Sequence, residues 1–233
     1  MPVASMCFDT TGALLATGDS MGNVRVWDAA RKYCTHNFHA HRGAVYALGF
    51  HPHKSRYQLF SAGQDSRVQV YDLRKKAHVH TFDSHQGAVS SLSFSPCGTF
   101  LASGGRDQTV NVWKVSPELG GQVSEILALE RIEGVAFVAK PAGGAETKKR
   151  KKQGKDQQAA AHLCVVTAGE RGVLRSWDAA SGKEILTVVG DSDSDNTGVV
   201  AAPGEPPAAE LIALHSFSQR PGSEDGSTAP GLL

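Results

Sequence analysis

The sequence lacks the features that mark several large classes of protein. Cysteine is scarce: the 233 residues contain four, Cys7, Cys34, Cys97 and Cys164, widely spaced and without a C-x-x-C pair. That excludes a disulfide framework, gives no metal-ligand spacing, and reads as reduced thiols in an intracellular protein. No apolar run approaches the roughly 18 residues a membrane helix needs. The first residues, MPVASMCFDTTG, have no basic segment followed by an apolar core, so they do not read as a secretory signal. Charge is also low: 20% of residues are charged and the net charge is +1, which gives no whole-chain drive toward nucleic acid or membrane. Helical periodicity is absent throughout. What remains is a chain with 40% apolar residues, enough for a sizeable core, and 25 glycines, which imply many turns.

One short stretch raises the question of catalysis. SGGRDQTVNVW, residues 103 to 113, places Ser103 four positions before Asp107, and His85 stands 18 residues before the serine. These are the residue types of a hydrolase triad. No G-x-S-x-G elbow surrounds Ser103, however. More tellingly, the constellation occurs twice: His41, Ser61, Asp65 and Tyr71 repeat the arrangement of His85, Ser103, Asp107 and Trp113. A catalytic centre is needed once, whereas a structural brace recurs with its repeat. Buried hydroxyl, imidazole, carboxylate and indole N–H groups can satisfy one another, and leaving one without a partner costs about 1–3 kcal/mol. The reading is therefore of no catalytic residue, no cofactor, no metal site and no small-molecule substrate.

The repetition extends along most of the chain. HRGAVYALGFHP (41–52) matches HQGAVSSLSFSP (85–96), and SAGQDSRVQVYD (61–72) matches SGGRDQTVNVWK (103–114). ATGDSMGNVRVWD (16–28) and TAGERGVLRSWD (167–178) are further copies, so the aromatic position falls at Trp27, Tyr71, Trp113 and Trp177, with spacings of 44, 42 and 64. Such a period, with one copy lengthened by an insert, indicates a repeat architecture. Within each copy the apolar period is two: Val68 and Val70 alternate with Arg67 and Gln69, and Val110 and Val112 with Thr109 and Asn111. That pattern predicts strands, four per unit. For the second unit they are Val45–Phe50, Gln58–Ala62, Val68–Asp72 and Ala77–Phe82. For the third they are Val89–Phe94, Phe100–Ser103, Val110–Val115 and Glu125–Leu129. The fold class is all-β, and four-stranded antiparallel units at this period are propeller blades.

With the corners AHRGAV and SHQGAV and the termini VRVWD, VQVYD, VNVWK and LRSWD, the chain resembles the WD-repeat proteins from residue 1 to about 189. The resemblance implies a β-propeller of about four blades (about 1–40, 41–84, 85–130 and 131–189), an incomplete part of a ring usually seven-bladed. It also implies that His, Ser/Thr, Asp and Trp form a hydrogen-bonded network bracing each blade. The outer copies depart from the pattern. Thr17 with Trp27, and Thr167 with Trp177, keep the hydroxyl and the indole, but Met21 and Arg171 stand at the aspartate position and neither copy has a clear corner histidine. These blades are expected to be less well braced, and an open arc of blades is expected to expose two blade faces. Partners in this family often contact one rim, which by position points to Tyr46, Gln64, Ser90 and Arg106.

Two segments stand apart from the repeats. The insert at 139–161 contains Lys148-Lys149-Arg150-Lys151-Lys152, a basic run that reads as a nuclear localisation signal, an electrostatic grip on RNA phosphates or a solvated loop. No aromatics interleave with the lysines, so base stacking is not expected. The tail, 190–233, is polar and proline-rich and is expected to be mostly disordered, with a fifth-blade strand at 210–217 as an open alternative. Asp191, Asp193 and Asp195 alternate as in a calcium loop but lack its glycine and terminal glutamate.

Residues 14–52, and within them the atypical RKYCTHNF between Trp27-Asp28 and His41, resemble the early blades of two-propeller WD-repeat proteins of the small-subunit processome. That resemblance implies a protein scaffold in a large snoRNA-associated ribonucleoprotein assembly, in the nucleus and nucleolus, acting in pre-rRNA processing and ribosome biogenesis. RNA contact would be indirect or weak, and no membrane is involved. A generic WD-repeat adaptor, such as a ubiquitin-ligase substrate receptor or a signalling β-subunit, is the alternative.

Overall fold

A computed structural model describes residues 2–115, 119–139, 163–189 and 198–201. All regular structure among them is β. The first sheet is β1 (Val3–Phe8), β2 (Leu14–Asp19), β3 (Asn23–Asp28) and β4 (Tyr33–His39). The second is β5 (Val45–Phe50), β6 (Gln58–Gly63), β7 (Val68–Asp72) and β8 (Ala77–Phe82). The third is β9 (Val89–Phe94), β10 (Phe100–Gly105), β11 (Thr109–Lys114) and β12 (Gln122–Leu127). The fourth is β13 (Ile132–Ala139), β14 (Leu163–Gly169), β15 (Val173–Asp178), β16 (Glu184–Val189) and β17 (Gly198–Ala201). Every sheet is an antiparallel meander in chain order.

Repetition in the sequence becomes repetition in the backbone. The turn between the second and third strands ends in a left-handed residue in all four blades: Gly22, Ser66, Gln108 and Gly172, with φ between 65° and 88°. A left-handed residue closing a hairpin loop lets the right-twisted strands meet without splaying. The next turn does the same at Lys32, Lys76 and Gly182. There the aspartate that follows the aromatic has a defined task. Asp28 accepts the backbone N–H of Arg31, Asp72 those of Arg74 and Lys75, and Asp178 those of Ala180 and Ser181, at 2.8–3.1 Å. Each carboxylate satisfies turn N–H groups that no strand can reach.

The core lies between blades. Val24 and Val26 of β3 pack with Val45, Leu59 and Tyr71 of the second blade. Phe60, Val68 and Val70 pack with Val89, Leu101 and Trp113 of the third, and Phe100, Val110, Val112 and Ile126 with Ile132, Val165 and Trp177 of the fourth. Alternation explains this: one face of each strand meets the next blade and the other meets the previous one. The aromatics of the second and third blades reach back onto the preceding blade, Tyr71 stacking on Phe38 and Trp113 tilting against Phe82, both at 4.5 Å between ring centroids. Polar ties add register. Ser5 Oγ donates to the Val45 carbonyl, and Ser91 and Ser93 Oγ accept the N–H groups of Val135 and Phe137. On the face of β1 turned away from the second blade, Met6 and Phe8 are 70% and 59% exposed.

Several bounds differ from the sequence reading: β6 runs on to Gly63, β10 to Gly105, and β11 spans Thr109–Lys114. The last strand of the third blade begins at Gln122 and ends at Leu127, rather than spanning Glu125–Leu129, because Val112 and Trp113 of β11 pair with Ser124 and Gln122 and Leu129 takes a left-handed turn. β13 reaches Ala139, the first position assigned to the insert. Within the tail, Gly198–Ala201 pairs with β16, extending the fourth sheet past residue 189. Lys148–Lys152, Asp191, Asp193 and Asp195, and the segment 210–217, lie outside the described residues.

Candidate functional site

The best-defined polar constellation is in the third blade. β10 supplies Ser103, β11 supplies Trp113, the β10–β11 turn supplies Asp107, and the corner entering β9 supplies His85. Trp113 Nε1–H donates to Ser103 Oγ at 2.9 Å, and Ser103 Oγ lies 2.7 Å from His85 Nε2. His85 Nδ1 lies 2.9 Å from Asp107 Oδ2, and Thr109 Oγ1 stands 3.2 Å from the same nitrogen. Because the indole can only donate, the serine proton is left to point at Nε2, and the imidazole then donates from Nδ1 to the carboxylate. Asp107 also accepts the N–H of Gln86 at 2.8 Å and of Thr109 at 3.2 Å. Burial alone would raise its pKa, but the hydrogen bond and charge of His85, with the Gln86 N–H, hold it well below the ordinary carboxylate value.

The constellation is closed off from solvent. Ser103 is 0% exposed and His85 5%. The serine oxygen is engaged by the indole on one side and the imidazole on the other. The glycines around the site belong to the same frame: a methyl group at Gly105 would collide with the Asp107 carboxylate and come within 2.8 Å of His85 Nδ1.

The second blade repeats the core of this arrangement. His41 Nε2 lies 2.7 Å from Ser61 Oγ, and Nδ1 lies 2.7 Å from Asp65 Oδ1. Asp65 accepts the backbone N–H groups of Arg42 and Arg67. Burial raises and these bonds, led by His41, lower the Asp65 pKa, and the net direction is down. Tyr71 supplies the fourth group differently from Trp113. Its hydroxyl donates to Gln69 Oε1 at 2.6 Å, and Gln69 Nε2 in turn donates to the Ala40 carbonyl.

The outer blades keep the hydroxyl–indole bond. Trp27 Nε1 donates to Thr17 Oγ1 at 2.9 Å and Trp177 Nε1 to Thr167 Oγ1 at 3.0 Å. What replaces histidine and aspartate was not legible at the expected positions, Met21 and Arg171. In the first blade Asp19, 2% exposed, accepts the N–H groups of Met21 and Asn23, each at 2.9 Å, and pairs with Arg25 at 3.3 Å. In the fourth, Glu130 occupies the corner. A methyl group at Gly169 would strike its carboxylate, just as one at Gly63 or Gly105 would press on His41 or His85. Arg175 Nε lies 3.4 Å from Glu130 Oε1. Arg25, Gln69, Asn111 and Arg175 all stand eight residues after the blade hydroxyl. A carboxylate–arginine pair thus takes the place of the histidine–aspartate pair in both outer blades.

The rim residues divide. Tyr46 on β5 lies under the guanidinium of Arg106, 5.4 Å from ring centroid to carbon, a cation–π contact across the second and third blades. Gln64 Oε1 accepts the Ala44 N–H at 3.4 Å and so bridges turn to corner. Ser90 is turned into the junction of the third and fourth blades, where its hydroxyl bonds the Gly104 carbonyl at 3.1 Å and the Ile132 carbonyl. Among the described residues no group of three or more histidine, cysteine, aspartate or glutamate residues is placed to hold a metal ion.

Known proteins are similar to this chain in sequence. The family model of the WD domain, G-beta repeat, matches residues 1–28, 32–72 and 76–114. The chain is 38% identical to transducin beta-like protein 3 of Mus musculus over 186 residues, 80% of this chain and 22% of that protein. It is 37% identical to transducin beta-like protein 3 of Homo sapiens over 186 residues, again 80% of the chain and 22% of the relative. A periodic tryptophan protein 2 homolog of Dictyostelium discoideum is 33% identical over 64 residues, 28% of the chain and 7% of that protein. The chain therefore spans about a fifth of the length of the transducin beta-like relatives it matches. With antiparallel sheets that repeat as propeller blades, the chain carries WD repeats over residues 1–114 and resembles transducin beta-like protein 3 over four-fifths of its own length.

Proposed function

We propose that this chain is part of a non-catalytic scaffold for protein–protein assembly in the small-subunit processome, acting in pre-rRNA processing within the nucleolus. The observation that carries the non-catalytic part is the burial of Ser103 and Ser61, both 0% exposed, inside hydrogen-bonded frames. Chemistry-bearing residues that cannot meet a substrate leave the surfaces of rigid blades as the working part. The processome assignment rests on similarity to transducin beta-like protein 3 across 80% of the chain, together with the RKYCTHNF segment. In this reading the Lys148–Lys152 run serves nuclear import, and contact with RNA is indirect or weak.

Affinity purification of the full-length protein from cells tests the assignment. Co-purification of snoRNA with ribosome-assembly factors, and nucleolar staining, are the expected results. Recovery of ubiquitin-ligase subunits or a signalling complex, without snoRNA, would replace it with a general adaptor role.

A further inference from the structure

The frames that brace the inner blades have a consequence for charge. Asp65 and Asp107 are consumed by His41, His85 and backbone N–H groups. The arginines of the same corner and turns are consequently left without carboxylates. Arg42 in the corner of the second blade, Arg67 in its β6–β7 turn and Arg106 in the β10–β11 turn are all exposed, and none forms an ion pair among the described residues. Arg25 pairs with Asp19, Arg131 with Glu170, and Arg175 with Glu130 and Glu184, whereas Arg42, Arg67 and Arg106 stand on adjoining loops of two neighbouring blades. Asp83, exposed just after β8, lies beyond ion-pair distance of all three.

The three unpaired guanidinium groups share one rim. Corner and turn of the second blade abut, since a methyl group at Gly43 would lie 2.7 Å from Gln64 Oε1. Arg106 leans from the third blade onto Tyr46 of the second, 5.4 Å from its ring centroid. That contact restrains a long side chain before any ligand arrives, which lowers the entropy lost on binding.

We infer that the rim of the second blade, through Arg42, Arg67 and Arg106, binds an acidic segment of a partner polypeptide. This deepens the assembly role proposed above and rests on it. Guanidinium groups engage carboxylates in paired, planar hydrogen bonds, a geometry that lysine does not offer. The chemistry favours peptide over RNA. Single-stranded RNA is gripped by open aromatic rings on which bases stack, whereas the ring at this rim, Tyr46, already carries Arg106.

The test is fluorescence anisotropy on the full chain with a labelled ten-residue polyglutamate peptide, its polyglutamine counterpart and a ten-nucleotide oligouridylate. Binding of the polyglutamate alone is expected, weakening with added salt. The triple variant Arg42→Gln, Arg67→Gln, Arg106→Gln should lose about tenfold or more in affinity. The equal-charge control Arg74→Gln, Lys75→Gln, Lys76→Gln should lose less than about twofold. If the rim triple misfolds by circular dichroism, Arg67→Gln alone should still weaken binding about threefold. Equal losses in both triples would reduce the effect to net charge and overturn the site. Tighter binding of oligouridylate, lost in the rim triple, would overturn it in favour of RNA. Absence of peptide binding while snoRNA still co-purifies would remove this surface and leave the assembly role standing.

Discussion

Replacing His85 with alanine separates frame from active site most sharply. The histidine is 5% exposed and links Ser103 at 2.7 Å to Asp107 at 2.9 Å. Its removal deletes a hydrogen bond to a carboxylate, worth about 1.5–3 kcal/mol, and one to a hydroxyl, worth about 1 kcal/mol. It also leaves the Ser103 proton without an acceptor in a buried place. The expected loss is therefore about 3–4 kcal/mol, or roughly 10 °C in melting temperature for a chain of this size. Urea denaturation followed by tryptophan fluorescence reads it, because Trp113 donates to the same serine. A paired reading comes from a fluorophosphonate probe, which should fail to label Ser103 in the unmodified chain. A loss below about 1 kcal/mol would refute the bracing role, and stoichiometric labelling of Ser103 would refute the frame itself.

Three further outcomes follow from other features. His51 is buried, and burial first, then the charges of Arg56 and His53, push its pKa down to about 4. The unfolded chain then binds the extra proton, so this contribution is complete above about pH 6.5 and is lost as pH falls toward 4. The loss is about 2 kcal/mol by pH 5, and urea titrations at pH 7 and 5 should find it flattened in His51→Gln. Asp65 and Asp107, both held below their ordinary values, push stability the same way at still lower pH. Gly22→Ala places a methyl group against the His41 carbonyl at φ 88°, and should lower stability by about 2 kcal/mol or more in the same urea assay. Glu130→Ala should cost about 2 kcal/mol, less than His85→Ala, because Arg175 retains Glu184 at 3.6 Å; a cost equal to that of His85→Ala would mean the two corners are equivalent in strength.

Legibility in the sequence followed repetition. Ser103 and Asp107 could be read as a frame because Ser61 and Asp65 repeat them at the same spacing, and β7 and β11 were readable because their valines alternate between Gly/Asp/Ser turns. Asp19 was missed because it stands two residues before the expected position, in the place that glycine holds in the second and third blades. Glu130 was missed because it stands two residues before Ile132, whereas His41 and His85 stand four before Val45 and Val89. The available signal was Arg25 and Arg175, basic residues eight positions after each outer hydroxyl, which require buried acidic partners. The bonding of Ser90 was hidden for another reason. A serine on an alternating strand gives no sign of whether its hydroxyl meets solvent or a neighbouring blade, and only the packing of β9 against β13 decided it. The short β17 carried a Val-Val pair too brief to outweigh its polar surroundings.

Placing each apolar cluster between two sheets makes the chain a series of nearest-neighbour couplings. Val45 belongs to the seam between the first and second blades, and Ile132 to that between the third and fourth. No sheet owns a core, so a blade excised alone would have nothing to fold around, while a blade deleted from the middle would remove two seams at once. Substitutions at separate seams should add, and those sharing a seam should couple.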